Sequence, residues 1–145
     1  GAFGDTVKAK EMAIAHMDAG ADILTGTAQQ TVGSIQAVSE KKGVYWFSND
    51  MNQSSLSPAH IIASQVYQWE EVIKYIIENH RKGKHGGERI SLDFANRRLA
   101  IDFNPALDSL ITPEIKKIFN ENLEKIKKEE IKVKLPGKEE VKSKS

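Results

Sequence analysis

Residues 43–66 read GVYWFSNDMNQSSLSPAHIIASQV. The apolar run Val44–Phe47 is followed by a polar turn, Ser48–Pro58, and a second apolar run starts near Ile61. Short apolar runs separated by turn residues predict buried β-strands. We therefore expect one strand at Val44–Phe47 and another at about Ile61–Val66, joined by a polar loop.

Helical patterns flank these strands on both sides. Asp5 or Thr6 can cap a first helix that Gly20 ends, and Thr31 can cap a second helix that ends at Gly43. A short buried strand, Ala21–Thr25, is expected between them. The positions expected to face inward are Ala9, Met12, Ala13 and Met17; then Val32, Ile35 and Val38; and, in a third helix, Trp69, Val72, Ile73, Ile76 and Ile77. Helices that alternate with strands predict an α/β fold, an open parallel sheet with helices on both faces.

The pattern changes in the second half of the chain. Apolar and polar residues alternate over Ile90–Phe94 and again over Leu99–Phe103, which predicts a half-buried hairpin joined at Ala95–Arg98. Thr112-Pro113 can open a further helix, because proline is well tolerated at the first helical position. Its expected inward positions are Ile115, Ile118, Phe119, Leu123 and Ile126, and a last strand is expected at Ile131–Leu135.

Composition limits the function classes. A chain of 145 residues can form one domain with a hydrophobic core, and 39% hydrophobic with 28% charged residues is typical of a globular protein. The net charge of +1 predicts no nucleic-acid partner. The chain has no cysteine, and its four histidines lack metal-ligand spacing, so we expect no metal and no cofactor. Nothing resembles a catalytic triad or nucleophile elbow, so we do not expect an enzyme.

Polar and aromatic residues follow the predicted strands, where open α/β sheets bind small molecules. Phe3 can stack on a flat ligand, and Asp5 can either accept its hydrogen bonds or cap the first helix. The loop Thr25–Gln29 can direct backbone N–H groups at a ligand. Asp50 can accept hydrogen bonds from the hydroxyls of a ligand, or bond its own backbone as a turn residue.

Several of these segments match a known family. They are Gly1-Ala2-Phe3-Gly4-Asp5, Gly20-Ala21-Asp22, Gly43-Val44-Tyr45, Asn49-Asp50-Met51-Asn52-Gln53 with Pro58, and Ala63-Ser64 followed by Trp69. In this order and spacing, over roughly residues 1–80, the chain resembles the C-terminal part of the basic membrane protein (BMP) family. That family includes the purine-nucleoside receptor lipoproteins of bacterial ABC transporters.

The resemblance implies one lobe, with hinge-return segments, of a type I periplasmic-binding-protein fold. Residues 1–135 would form this lobe and residues 136–145 a charged, solvated tail, with the N-terminal lobe outside this chain. The implied function is the substrate-binding component of an ABC importer, with a purine nucleoside or a related polar aromatic molecule as ligand and the transporter permease as partner. The implied location is extracytoplasmic, with a membrane anchor through an N-terminal lipid or signal segment.

The resemblance also implies residue roles. Phe3 would stack on the base and Asp50 would hold the sugar hydroxyls. The remaining expected ligand contacts are Asp5, Thr27, Gln29, Ser64 and Tyr67. Two departures leave the ligand open, since Ala28-Gln29-Gln30-Thr31 replaces a glycine-rich loop and Tyr67 replaces a lysine. A ligand-sensing regulator with the same fold is the alternative, and a nucleotide-dependent enzyme is a weaker one.

Overall fold

The computed structural model describes residues 4–132. Its helices are α1 (Thr6–Asp18), α2 (Thr31–Ser39), α3 (Trp69–Arg81) and α4 (Pro113–Lys127), and its strands are β1 (Ile23–Thr25), β2 (Tyr45–Ser48), β3 (Ile61–Tyr67) and β4 (Leu99–Phe103). Short 3-10 turns lie at Ser54–Leu56 and Pro105–Leu107. The expected strand at Ile131–Leu135 falls mostly outside the described residues, and its described part, Ile131 and Lys132, is not in a strand. The expected tail, residues 136–145, also lies outside them.

The four described strands form one open sheet in the order β1-β2-β3-β4. The first three strands run parallel, as the alternation with helices predicts, with Thr25 beside Phe47 and Ser48 beside Ser64. The fourth strand departs from the prediction, because β4 runs antiparallel to β3 and pairs Phe103 with Ala63. The sheet is therefore open and mixed rather than wholly parallel.

The predicted hairpin at Ile90–Phe103 is wrong. Its second half forms β4, but Ile90–Phe94 is not a strand, and β4 pairs instead with Ala63–Tyr67 of β3. Asp93 and Asn96 exchange hydrogen bonds, from Asn96 N to Asp93 Oδ1 at 2.9 Å and from Asp93 N to Asn96 Oδ1 at 3.2 Å. These local side-chain bonds turn the chain and compete with a strand ladder at this point.

The core lies around β2 and the two helices that precede it. Trp46 is 1% exposed and belongs to one cluster with Ala13, Met17, Leu24, Ile35, Ala37, Val38, Val44 and Ile61. Ile35 and Val38 face inward as predicted, whereas Met12 and Val32 are 54% and 50% exposed, so their predicted burial is wrong. The helical spacing identified the apolar face of each helix, but Met12 and Val32 lie at the solvent-exposed border of these faces.

Close packing of α1 on α2 depends on Gly33. A side-chain carbon built on Gly33 would overlap the Thr6 carbonyl group of α1. The absence of a side chain at this buried position therefore lets the two helix backbones approach closely. This contact sets the distance between α1 and the loop that precedes α2.

Helix α3 has an apolar face that residues 4–132 leave largely uncovered. Val72 is its only buried residue, while Trp69, Ile73, Ile76 and Ile77 are 46–52% exposed. Their inward-facing prediction is therefore wrong within the described chain. On the polar side, Lys74 bonds Glu70, and this hydrogen bond and charge lower the pKa of the Glu70 carboxyl.

Helix α4 contacts β4 through an aromatic pair. Thr112 caps it as predicted, accepting a hydrogen bond from Ile115 N at 3.3 Å, and the Phe119 ring meets Phe103 edge-on with centroids 5.2 Å apart. Ile115 and Ile118, also predicted to face inward, remain 48% and 52% exposed. None of the described helices is long and apolar enough to cross a membrane.

We predict that Gly33→Ala destabilises the protein. Alanine in a helix interior is ordinarily favoured over glycine by about 0.5–1 kcal/mol, whereas overpacking a tight contact costs about 1–3 kcal/mol. The free energy of unfolding from urea denaturation should therefore fall. Gly4→Ala is the control, since nothing lies within 4 Å of a side-chain carbon built there. A Gly33→Ala chain as stable as the parent would mean that α1 and α2 do not approach closely.

Candidate functional site

The candidate site is the edge of the sheet where the parallel strands β1 and β2 end. Two loops leave the sheet there, Gly26–Gln30 ahead of α2 and Asn49–Gln53 after β2. In open α/β sheets, ligands bind outside the carboxyl ends of the strands. Both loops contain residues that the sequence assigned to ligand contact.

Asn49 joins the two loops. Its side-chain Nδ2 donates to Thr25 Oγ1 at 2.8 Å and to the Gly26 carbonyl at 3.1 Å. The Thr25 hydroxyl in turn donates to the Phe47 carbonyl at 2.9 Å. These bonds fix the start of one loop to the start of the other. The residue that follows Asn49 is thereby held beside the loop that contains Thr27.

Asp50 occupies this position. It is exposed, and its φ of 74° lies in the left-handed region, which is uncommon for residues other than glycine but tolerated by aspartate. Within residues 4–132 its carboxylate accepts no hydrogen bond, so the bonded turn that the sequence left open does not form there. Strained backbone of this kind clusters at ligand clamps and active sites. The carboxylate is thus directed into solvent at the edge of the sheet.

Ser64 lies beneath the Asp50 loop rather than on its surface. It is fully buried, and its Oγ accepts a hydrogen bond from Gln53 N at 3.4 Å. On β4, Asp102 accepts a bond from Asn52 Nδ2 at 3.3 Å. Both contacts anchor the loop to the sheet. A direct ligand contact for Ser64 stays a prediction.

A cleft of about 300 Å³ lies between α1 and the loop before α2. Asp5, Thr27 and Trp46 are among the residues that line it, as is Gln30, whereas Gln29 is exposed outside it. Asp5 also caps α1, accepting a hydrogen bond from Lys8 N at 3.0 Å. The structure therefore brings Asp5 and Thr27 together, and the capping role of Asp5 does not exclude a ligand role for its second carboxylate oxygen.

Tyr67 and Phe3 stand apart from this group. Tyr67 is three residues beyond Ser64 on β3, roughly 10 Å along the strand at the usual rise. Its ring packs on Trp69, with centroids 5.5 Å apart, where β3 passes into α3. Phe3 lies outside the described residues, so its stacking role stays a prediction.

This edge has groups that can bind a polar ligand. It presents a carboxylate, hydroxyls and amides on anchored loops, groups that orient a polar ligand through hydrogen bonds. Among residues 4–132, no group of three or more histidine, cysteine or acidic side chains could hold a metal ion.

Sequence reasoning missed the residues that hold the loops. Asn49 was part of a recognised motif but had no role of its own, and Asn52 and Asp102 were not assigned to the site. The Asn49 contacts had no local signal, because they reach Thr25 and Gly26, which lie 24 and 23 positions away in the sequence. The Asn52–Asp102 bond had none, since it joins residues 50 positions apart in the sequence.

Comparison with known proteins gives a family and a fold. A family model described as "ABC transporter substrate-binding protein PnrA-like" (Bmp) matches residues 1–139. A crystal structure of ABC transporter system solute-binding proteins from Aeropyrum pernix K1 is similar, with a TM-score of 0.79, 20% identity, and coverage of 94% of this chain and 46% of that chain. A corresponding protein from Conexibacter woesei DSM 14684 has a TM-score of 0.63, 18% identity, and coverage of 90% and 43%.

Both similarities cover nearly all of this chain but less than half of the solved protein. The chain spans about half the length of the solved structures that it resembles. At such low identity they show the fold alone, an open mixed sheet with helices like that of solute-binding proteins. A search of curated protein sequences finds no match.

Proposed function

The chain belongs to the Bmp family of PnrA-like ABC transporter substrate-binding proteins, and from this premise we propose that it is one lobe of a protein that binds a purine nucleoside for an ABC importer. The family is one of solute-binding proteins, which is not an enzyme class. Its description names transport, so the alternative of a regulator receives no support from it.

The exposed Asp50 carboxylate is the observation that carries the ligand proposal. A carboxylate accepts hydrogen bonds from both vicinal hydroxyls of a ribose, and such charge-assisted bonds are shorter and stronger than neutral ones. Asn49 holds the loop from one side, and the buried Ser64 holds it from below. A loop backbone that is held before the ligand arrives loses little conformational entropy on binding.

The other ligand contacts are assigned on weaker grounds. We assign base stacking to Phe3, and hydrogen bonds to Thr27 and Gln29 in the neighbouring loop and to the free oxygen of Asp5. Ser64 and Tyr67 complete the set, and both require a change from the described geometry. Ser64 would have to release Gln53 N, and Tyr67 would have to meet the ligand from the junction between β3 and α3.

A second lobe is part of the proposal. The solved relatives are about twice as long as the part matched here, and the apolar face of α3 has no cover within residues 4–132. Residues 69–98 form the connection between β3 and β4. The two ends of this connection lie together, because Tyr67 pairs with Leu99 and Gln68 N donates to the Arg98 carbonyl at 2.9 Å. We assign these residues to the hinge-return segment and the α3 face to packing against the second lobe. Closure of the two lobes would enclose the ligand.

The remaining partners follow from the same proposal. The ABC transporter permease would receive the ligand from the closed protein on the extracytoplasmic side of the membrane, where a lipid anchor or signal segment would retain it. No nucleic-acid partner is proposed.

Asp50→Ala tests the ligand assignment in the two-lobed protein. We expect nucleoside binding to weaken by about 1.5–3 kcal/mol, the range for a hydrogen bond to a charged group. Binding of the free base should weaken far less, because a base has no ribose. Isothermal titration calorimetry with adenosine and with adenine measures both losses in the same variant.

Met51→Ala is the matched control, since it truncates an exposed side chain of the same loop without removing the carboxylate or a loop anchor, and it should leave both affinities unchanged. Equal losses for adenosine and adenine in Asp50→Ala would contradict a sugar contact. No loss for either ligand would remove the nucleoside assignment.

Ile73→Ser tests the assignment of the α3 face. In the two-lobed protein it should lower the free energy of unfolding by about 1–3 kcal/mol, as for a buried aliphatic side chain that is truncated. In the 145-residue chain, where Ile73 is 52% exposed, the effect should stay near the ~0.5 kcal/mol typical of surface substitutions. Chemical denaturation measures both values, with Glu78→Ser as the control on the polar side of α3.

A different occupant of the α3 face would give a different pattern. If a second copy of the chain covered it, Ile73→Ser would destabilise the 145-residue chain itself, and the loss would depend on protein concentration. That result would contradict the assignment of this face to a second lobe.

A further inference from the structure

The turn at the end of α3 brings two histidines into contact. His80 lies in the last turn of the helix and His85 follows the turn, with their Nδ1 atoms 3.1 Å apart. The ring centroids are 4.8 Å apart and the ring planes are inclined by 72°, an edge-to-face arrangement. Both side chains are exposed, and neither belongs to the candidate ligand site.

Backbone hydrogen bonds fix the turn between them. Gly83 has a φ of 82°, a conformation that glycine adopts without strain, and its N–H donates to the His80 carbonyl at 3.0 Å. Lys84 N donates to the Asn79 carbonyl at 2.9 Å. The chain therefore reverses tightly after α3, and this reversal brings the His85 ring against the His80 ring.

We propose that His80 and His85 chelate one divalent transition-metal ion through their Nδ1 atoms. With metal–nitrogen bonds of about 2.05 Å, a separation of 3.1 Å between the two nitrogens corresponds to an angle of roughly 98° at the metal. This angle lies between those of octahedral and tetrahedral coordination. Imidazole nitrogens are ligands that zinc, copper and nickel accept.

The metal replaces the contact between the rings. In the metal-free protein one Nδ1–H can donate to the other Nδ1, which requires the two rings to be different tautomers. When the metal binds, the donor ring moves its proton to Nε2, and both Nδ1 lone pairs face the ion. Neutral imidazoles release no net proton in this step, and water completes the coordination.

The charges around the two histidines have opposing effects on the affinity for a metal ion. The C-terminal end of a helix attracts cations, because its last carbonyl groups carry partial negative charge. Arg81, Lys82 and Lys84 lie next to the pair in sequence and repel a metal ion. No third acidic or histidine ligand is placed beside the pair among the described residues. We therefore expect micromolar rather than nanomolar affinity.

The site is separate from the candidate ligand site. His80 is eleven residues from the start of α3, roughly 17 Å along the helix at the usual rise. Metal binding can therefore be tested without assuming that the protein binds a nucleoside, and the two proposals can fail independently.

Calorimetry with zinc chloride and the untagged 145-residue chain tests the proposal. We expect one equivalent to bind at pH 7.5, and we expect His80→Ala and His85→Ala each to weaken binding tenfold or more. His16→Ala, which removes an exposed histidine on α1, is the matched control and should leave binding unchanged. Lowering the pH to 5 should abolish binding, because a ligating imidazole must be unprotonated.

The same samples give a second readout by NMR. Substoichiometric nickel should broaden the ring signals of His80 and His85 together, before those of His16 and His60. No binding by the parent chain at a hundred micromolar zinc would overturn the proposal. Equal weakening in His16→Ala, or no weakening in His85→Ala while the thermal unfolding curve is unchanged, would also overturn it.

Discussion

The Asn49 side chain makes the contacts on which the arrangement of the candidate site depends. One amide group bonds both the Thr25 hydroxyl and the Gly26 carbonyl, while its own backbone follows β2 directly. Two loops that leave different strands thereby become one surface. This contact ties the Asp50 loop directly to the start of the loop that contains Thr27.

The contacts below this surface explain why it stays in place. Trp46 and Ile61 are buried in the core. The fully buried Ser64 on β3 accepts a hydrogen bond from the backbone of the Asp50 loop. The close approach at Gly33 fixes α1 against α2. The edge is therefore anchored from below, whereas residues 69–98 connect the paired strands β3 and β4 and leave the apolar face of α3 uncovered by residues 4–132.

Local patterns predicted much of this fold, and long-range pairing limited the rest. The helix that Thr112 caps and the strand Ile61–Tyr67 lie where sequence spacing placed them. The strand Leu99–Phe103 was recognised, but its partner was not, because alternation shows that a segment is half-buried and not what it pairs with. Trp69 had helical apolar spacing, yet spacing cannot tell whether the covering surface belongs to the same part of the chain. The Asp50 loop was found because a strand end is a local signal.

The most direct test of the binding edge is a crystal structure of the two-lobed protein with adenosine bound. The quantity to measure is the distance from the Asp50 carboxylate oxygens to the ribose hydroxyls. The account predicts hydrogen bonds of about 2.5–2.7 Å, as for hydroxyl groups that donate to an ionised carboxylate. A nucleoside seated elsewhere, or bound with its ribose out of reach of Asp50, would contradict it.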